Sequence, residues 1–470
     1  MQFFNHRKKM EEILQLSLVG LLTLGLCVTG VGCDILGEEN GNTSSTKGEI
    51  FTSPNAERFG RFGQSVAAIG DVDGGGMNDL VIGAPEETVN GSSEAGRGYL
   101  FSTEGDSLLR TVQSPTTKEN ARFGSTIVRV KDVNGDKMED FIVGAPRESV
   151  SGRDAAGRVY LFSGADGRLI HRLESPDPEK YGEFGRAVGC AGDSNGDSVP
   201  DILVGAKFED VGEISDAGRV YLFDGRSGSL LDTLDSPNRE DSRLFGAAVS
   251  GIGDIDEDGT DDLVIGASNS DTDEVDGAGR VYLFSGADAR ALRVIESPNP
   301  TADGLFGNAI EAVGDVNNDG TEEVVIGARR ETIKGTRAGR AYLYSAADGA
   351  LLQVFEPPVS EERAFFGSTV GGGDVDGDGT SEIFVGAPFL TVRGKGNAGQ
   401  GYLFSGADGS LRRVLEAPNA QGLAQFGSAI GWIDDGGKGK YVAIGAPDTD
   451  TGLISAGEVH LFGDLESAGN

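Results

Sequence analysis

The sequence predicts an all-β protein, a seven-bladed β-propeller with four strands per blade, whose last blade is closed by the N-terminal strand. Three observations predict it. Phe-Gly recurs at Phe62, Phe123, Phe184, Phe245, Phe306, Phe366 and Phe426, at steps of 61, 61, 61, 61, 60 and 60 residues. Gly-Ala follows about twenty residues later, at Gly83, Gly144, Gly205, Gly266, Gly327, Gly386 and Gly445. The seventh unit stops at its third strand, Gly457–Phe462, while a matching fourth strand stands at the other end of the chain. A period this strict means one supersecondary unit copied seven times.

Each unit reads as four short strands. In the third they are Gly185–Gly192, Asp201–Ala206, Gly218–Phe223 and Ser229–Asp235. Runs rich in Val, Ile, Leu, Tyr and Phe and bounded by Gly, Asp and Pro are strands rather than helices. Hairpins such as Ser163–Gly167 supply the Gly and Asp that tolerate the positive φ of a tight turn. No segment after residue 35 carries a helical apolar period. A solenoid stack is the alternative, though its units are usually shorter. The closing strand is Lys47–Pro54, whose strand-plus-Ser-Pro pattern matches Leu173–Pro176 in another unit. Placed in the last blade, it hides edges that otherwise invite aggregation.

Phe-Gly, an acidic loop, then Gly-Ala-Pro at Gly83–Pro85, Gly144–Pro146, Gly386–Pro388 and Gly445–Pro447 resembles the FG-GAP repeat of the integrin α-subunit propeller. The resemblance covers roughly residues 47–463, and three copies depart from the final proline at Lys207, Ser268 and Arg329. It implies calcium in the acidic loops and a role in adhesion. No leg domains or C-terminal membrane span follow in this sequence, so heterodimer pairing is not expected and the chain is expected to be monomeric.

The acidic loop joins strands one and two. In the fourth unit it offers Asp254, Asp256, Asp258 and Asp262, with Gly259 at the turn. Oxygen ligands at positions 1, 3, 5 and 9 suit a hard cation that takes about six to eight oxygens. Comparable sets are Asp132, Asn134, Asp136 and Asp140; Asp193, Asn195, Asp197 and Asp201; Asp315, Asn317, Asp319 and Glu323; and Asp374, Asp376, Asp378 and Glu382. Lys137 and Ser198 replace the turn glycine at a conformational cost. The first loop is weaker, with Asp71, Asp73 and Asp79 but Gly75 at position 5. The seventh, Asp434–Lys440, is one residue shorter and is expected to hold no metal. Asp, Asn and Gly are also good turn formers, which explains one such loop but not the same four offsets in five of them. The expectation is Ca²⁺ at about five sites. With a Kd on the order of 10⁻⁴ M, ~1 mM calcium stabilises by roughly 1.4 kcal/mol per site.

Composition fits. With 75 Asp plus Glu against 40 Lys plus Arg, the net charge is −35, and five Ca²⁺ (+10) leave about −25. Such a surface argues against nucleic acid and against anionic membranes as partners.

The organisation predicted is a lipoprotein-type signal peptide over 1–32, a flexible tether over 33–46, the propeller over 47–463 and a tail over 464–470. Arg7, Lys8 and Lys9 precede the apolar stretch Ile13–Val31, which ends at Cys33. This resembles a bacterial lipoprotein signal, with Cys33 lipidated and the protein held on the outer side of a membrane. Ordinary secretion and an uncleaved anchor are the alternatives. The three cysteines give no disulfide framework, and Cys190 is read as a small buried residue. Trp432, the one tryptophan, is read as core filling.

Catalysis finds little support. His171 and His460 are read as isolated on outer strands, and no nucleophile elbow or His-Glu-x-x-His occurs. Arg97, Arg158, Arg219, Arg280 and Arg340 recur before the third strand and read as scaffold. The expected function is therefore an adhesion or recognition module. A propeller enzyme acting on polysaccharide and a structural subunit of an envelope complex are the alternatives. Ligand residues are expected where the units differ, in the loops joining strands two and three. There Arg329, Arg330, Lys334 and Arg337 of unit five adjoin Phe389, Arg393 and Lys395 of unit six. Arginine suits carboxylate or sulfate recognition, so the expected partner is an anionic polysaccharide or a carboxylate-bearing surface protein.

Overall fold

A computed structural model describes residues 49–238, 243–434, 440–463 and 465. The expected signal peptide, the tether with Cys33, and the tail apart from Leu465 lie outside the described residues. The described chain is all strand and turn, arranged as seven four-stranded antiparallel sheets. Blade one consists of Ser65–Ile69, Asp79–Ala84, Arg97–Phe101 and Leu108–Val112. Blades two to six repeat the pattern, and blade five adds a small hairpin, Thr332–Ile333 with Thr336–Arg337. Strand starts differ slightly from expectation. The first strand of blade three opens at Ala187, two residues after Gly185 at φ 84°.

Blade seven confirms the closure. Its strands Ala429–Asp434, Lys440–Ala446 and Glu458–Phe462 are completed by Ile50–Thr52 from the other end of the chain. The pairs are Ile50 with His460, Phe51 with Val459, and Thr52 with Glu458. The core closes too: Phe51, Phe62, Val66 and Leu80 pack with Ala429, Ile433, Val459 and Leu461, joining blades one and seven. The second strands of blades one to six are buried along their whole length, because a neighbouring blade covers each face. That explains continuous apolar runs such as Asp201–Ala206 where a half-exposed strand would alternate. Fourth strands such as Leu230–Leu234, by contrast, are largely exposed outer edges.

The two glycine motifs have one physical cause. A Cβ on Gly83, Gly144, Gly205, Gly266, Gly327, Gly386 or Gly445 would lie 2.0–2.2 Å from the carbonyl oxygen of the Phe-Gly glycine in the next blade. The series ends with Gly445 against Gly63, so the same backbone contact runs round the ring. Each preceding phenylalanine is fully buried. Phe123, for example, sets its ring 5.6 Å from Tyr160 and 5.9 Å from Phe162 of the third strand. First strands line a central channel of about 500 Å³.

Candidate cation loops and the basic face opposite

The ninth residue of each acidic loop opens the second strand: Asp79, Asp140, Asp201, Asp262, Glu323 and Glu382. Each is buried where the loop meets the blade. Backbone amides hold it in place. Asp262 accepts from Ile255 N at 2.8 Å and from Gly286 N at 3.0 Å. Burial pushes the four aspartates up to about 6 and the two glutamates up to about 7, and neighbouring loop carboxylates add to this in most of the loops. A buried carboxylate surrounded by others is the donor set a hard cation satisfies.

Four loops bring carboxylate oxygens within 4.8 Å of one another: Asp71, Asp73 and Asp79; Asp254, Asp256 and Asp262; Asp315, Asp319 and Glu323; Asp374, Asp376 and Glu382. Blade one, expected to be the weak site, converges like the others. A Cβ at Gly75 would lie 2.8 Å from Glu104 Oε2, so a carboxylate from the turn after strand three stands beside the empty position. The sequence signal was the joint presence of Gly75 and Glu104, found in no other blade. In blades two, three and five position 3 is an asparagine, and Nδ2 of Asn134, Asn195 and Asn317 donates to Asp140 at 3.2 Å, Asp201 at 3.1 Å and Glu323 at 2.8 Å. Asp258 and Asp378 accept hydrogen bonds from the amides of Thr260 and Thr380 at the loop rim. The turn residue has positive φ throughout: Gly76, Gly259, Gly320 and Gly379, but also Lys137 at 76° and Ser198 at 67°. The middle of the seventh loop, 435–439, lies outside the described residues.

The Phe-Gly and Gly-Ala segments sit at the opposite ends of these strands. There Arg329 and Arg330 stand 6.0 and 5.7 Å from the ring of Phe365, which meets Phe389 edge-on at 5.2 Å. Phe365 was not foreseen; it precedes a Phe-Gly, where other blades carry Arg61, Arg122 or Leu244. Lys334 and Arg337 belong to the small hairpin, with Arg337 donating to the carbonyl of Ala302 at 3.2 Å. Arg393 is ion-paired with Glu416, and Lys395 closes its turn against Val392. Arg329, Arg330 and Phe389 are thus gathered around Phe365, whereas Arg337 and Arg393 have local partners.

A buried polar network also escaped the sequence reading. Glu87, Glu148, Glu209 and Glu331 are fully buried, and each accepts from a third-strand tyrosine: Tyr99, Tyr160, Tyr221 or Tyr342. Arg97 and Arg158, two of the recurring arginines, ion-pair with Glu87 and Glu148, which ties the loop to the blade. Arg219 instead pairs with Asp235 at 3.3 Å, and burial raises Glu209 to about 7. His460 occupies the corresponding tyrosine position in blade seven. It is buried in a third strand beside Phe426, not isolated on an outer one. Cys190 and Trp432 line the channel.

Comparison with known proteins agrees with this architecture. The FG-GAP repeat family matches residues 62–101, 123–162, 184–223, 245–284, 306–344 and 366–404. Among curated proteins the chain is similar to human integrin alpha-IIb, 36% identical over 238 residues, which is 47% of this chain and 22% of that protein. It is 34% identical to bovine integrin alpha-2 over 178 residues, covering 36% of this chain and 14% of the other. With Xenopus laevis integrin alpha-5 it shares 29% over 281 residues, 57% of this chain and 25% of the other. The chain therefore spans at most about a quarter of the length of these relatives. No helix among the described residues is long and apolar enough to cross a membrane. By its repeats, their spacing and the ring they build, the chain belongs to the FG-GAP, integrin α-like family of β-propellers.

Proposed function

We propose that this chain is an exported recognition module: a calcium-loaded propeller, held at the cell envelope by a lipid on Cys33, that binds an anionic surface. The observation that carries the reading is the contrast between its faces. One presents repeated carboxylate loops, and the other gathers Arg329, Arg330, Phe365 and Phe389 in a chain of net charge −35. The ligand class that fits is an acidic glycan or a carboxylate-bearing surface protein, read by guanidinium forks beside aromatic rings. Calcium would be held by the loop residues of blades two to six, and in blade one by Asp71, Asp73 and Asp79 with Glu104. Bound there, it neutralises clustered carboxylates and fixes the hairpins; it has no catalytic part. The test is surface or glycan-array binding by an R330E/R393E double variant. Binding should fall to background while calcium stoichiometry and melting stay unchanged; undiminished binding refutes the assignment. Cys33→Ser should release the protein from membranes or leave an unprocessed precursor, and unchanged membrane partition rejects the lipid.

A further inference from the structure

Positions at the channel mouth on the Phe-Gly face can be compared blade by blade. On the side of blades seven, one and two, the cations there have carboxylate partners. Arg61 pairs with Asp448 at 3.2 Å, Arg122 with Glu86 at 3.1 Å, and Arg147 with Glu183 at 3.2 Å. On the other side they do not. Arg186 follows the Phe-Gly of blade three, Lys207 the Gly-Ala of blade three, and Arg329 and Arg330 the Gly-Ala of blade five. Among the described residues none of these four forms an ion pair with a carboxylate. Instead they lie within electrostatic reach of one another: Lys207 feels Arg186 and Arg329, and Arg329 feels Arg330 and Arg186. The Nε of Arg329 is buried with no hydrogen-bond acceptor.

Blade four, between them, contributes only small residues at the same two positions, Ala247 and Ser268. Two acidic side chains of its adjoining loop have local roles, while Glu274 and Asp276 are exposed. Asp271 accepts from Gly277 N at 2.7 Å, and Asp273 lies 3.6 Å from Arg280. Blade four thus adds no charge at these two positions between the cations of blades three and five. Glu183 is within electrostatic reach of Arg186 and Lys207 but is already ion-paired with Arg147, so the like charges are incompletely compensated, which destabilises the empty state. Burial and the neighbouring cations lower Lys207 to about 8 and depress Arg329, in keeping with that strain.

We infer that this cation cluster is an oxyanion socket, in which Arg186, Lys207, Arg329 and Arg330 receive a carboxylate or sulfate group projecting from the ligand. It deepens the recognition reading by naming what the ligand presents at the axis. It also moves the centre of the site from the rim, where Arg393 is already paired, to the channel mouth.

The sister blades supply a test variant that keeps the fold. Serine occupies the Arg186 position at Ser125, Ser368 and Ser428, and the position of Lys207 and Arg329 at Ser268. Thermal melting of calcium-loaded wild type and of R186S/K207S/R329S is followed with sodium sulfate and sodium acetate, against sodium chloride at matched ionic strength. The wild type should melt higher in sulfate or acetate than in chloride. The triple variant should lose that difference and, relieved of like-charge crowding, melt no lower than wild type in chloride. Response to sulfate alone or acetate alone identifies which group the socket takes. A wild type indifferent to both anions, or a variant responding as wild type does, overturns the proposal. Binding of uronate and sulfated glycans separates the two readings. Glycan binding that survives in the triple variant overturns the socket and leaves recognition standing. Anion stabilisation without glycan or surface binding supports the socket and removes the recognition reading.

Discussion

Replacing Gly205 by alanine tests the contact that sets the repeat. The new Cβ would sit 2.2 Å from the carbonyl oxygen of Gly246. Carbon and oxygen at van der Waals contact stand about 3.3 Å apart, so blades three and four must separate locally by roughly 1 Å. A gap of about 0.5–1 Å forfeits a quarter to a half of each affected dispersion contact, and this interface carries Leu203, Val220, Phe245, Val249 and Leu263. Both clashing groups are backbone, so no side chain can swing aside. Overpacking costs about 1–3 kcal/mol when neighbours can adjust, which places Gly205→Ala at or above the upper figure, about 3 kcal/mol. Gly445→Ala meets the same clash, 2.0 Å from Gly63 O, at the seam between blades seven and one. Gly396 has no atom within 4 Å of its Cβ position, so Gly396→Ala should stay within about 0.5 kcal/mol of wild type. Urea unfolding followed by the fluorescence of Trp432, the only tryptophan, measures all three. Equal midpoints for Gly205→Ala and Gly396→Ala would refute the argument that backbone contact dictates the motif.

Glu209 is raised from 4.5 to about 7 by burial, so the folded state keeps a proton that the unfolded chain releases and stability falls as pH rises across that interval. Glu209→Gln should remove the share of that slope due to Glu209 and, above pH ~7, exceed wild type by up to roughly 3 kcal/mol; a pH series of urea midpoints, wild type against variant, checks it. Lys137→Gly and Ser198→Gly, at φ 76° and 67°, should each stabilise the calcium-loaded protein by about 1 kcal/mol, and lower melting temperatures would contradict the strain. Chelation should reduce the melting temperature by many degrees, calcium should restore it, and Glu104→Gln should weaken a single site in calcium titrations. Deleting residues 49–54 should bare the Glu458–Phe462 edge and cause aggregation seen by light scattering.

Much of the fold was legible because the motifs are backbone constraints. A glycine needed where two blades touch cannot be exchanged, so Phe-Gly and Gly-Ala persist in every copy and give away both period and count. The ninth loop residue was legible for a similar reason: it is acidic and starts a buried strand, as Asp262 and Glu382 do. The contribution of Glu104 was not, because it reaches Gly75 from a different turn and only the fold brings the two together. The Glu87–Tyr99 type of network was half visible. Its arginines recurred, but the glutamate recurs in only four blades, with Ser270, Leu390 and Thr449 in the others. The basic face divided in an instructive way. Sequence gathered Arg393 with Arg330 by adjacency of units, whereas Arg186 and Lys207 reach Arg329 only through closure about the axis.

The pairing of Ile50 with His460 has a consequence for how the protein is made. The two residues are 410 positions apart (460 − 50). At a synthesis rate of about 5–20 residues per second, roughly 20–80 s separate them. Throughout that interval Phe51, 2% exposed in the finished ring, has no partner strand, and blade seven does not yet exist. The first described strand to emerge is therefore among the last to be used. An interrupted chain cannot close around a smaller number of blades, because the acceptor edge is encoded at the far end. Closure at the seam, three rungs of Ile50–Thr52 on Glu458–Phe462, therefore waits on the last strand made.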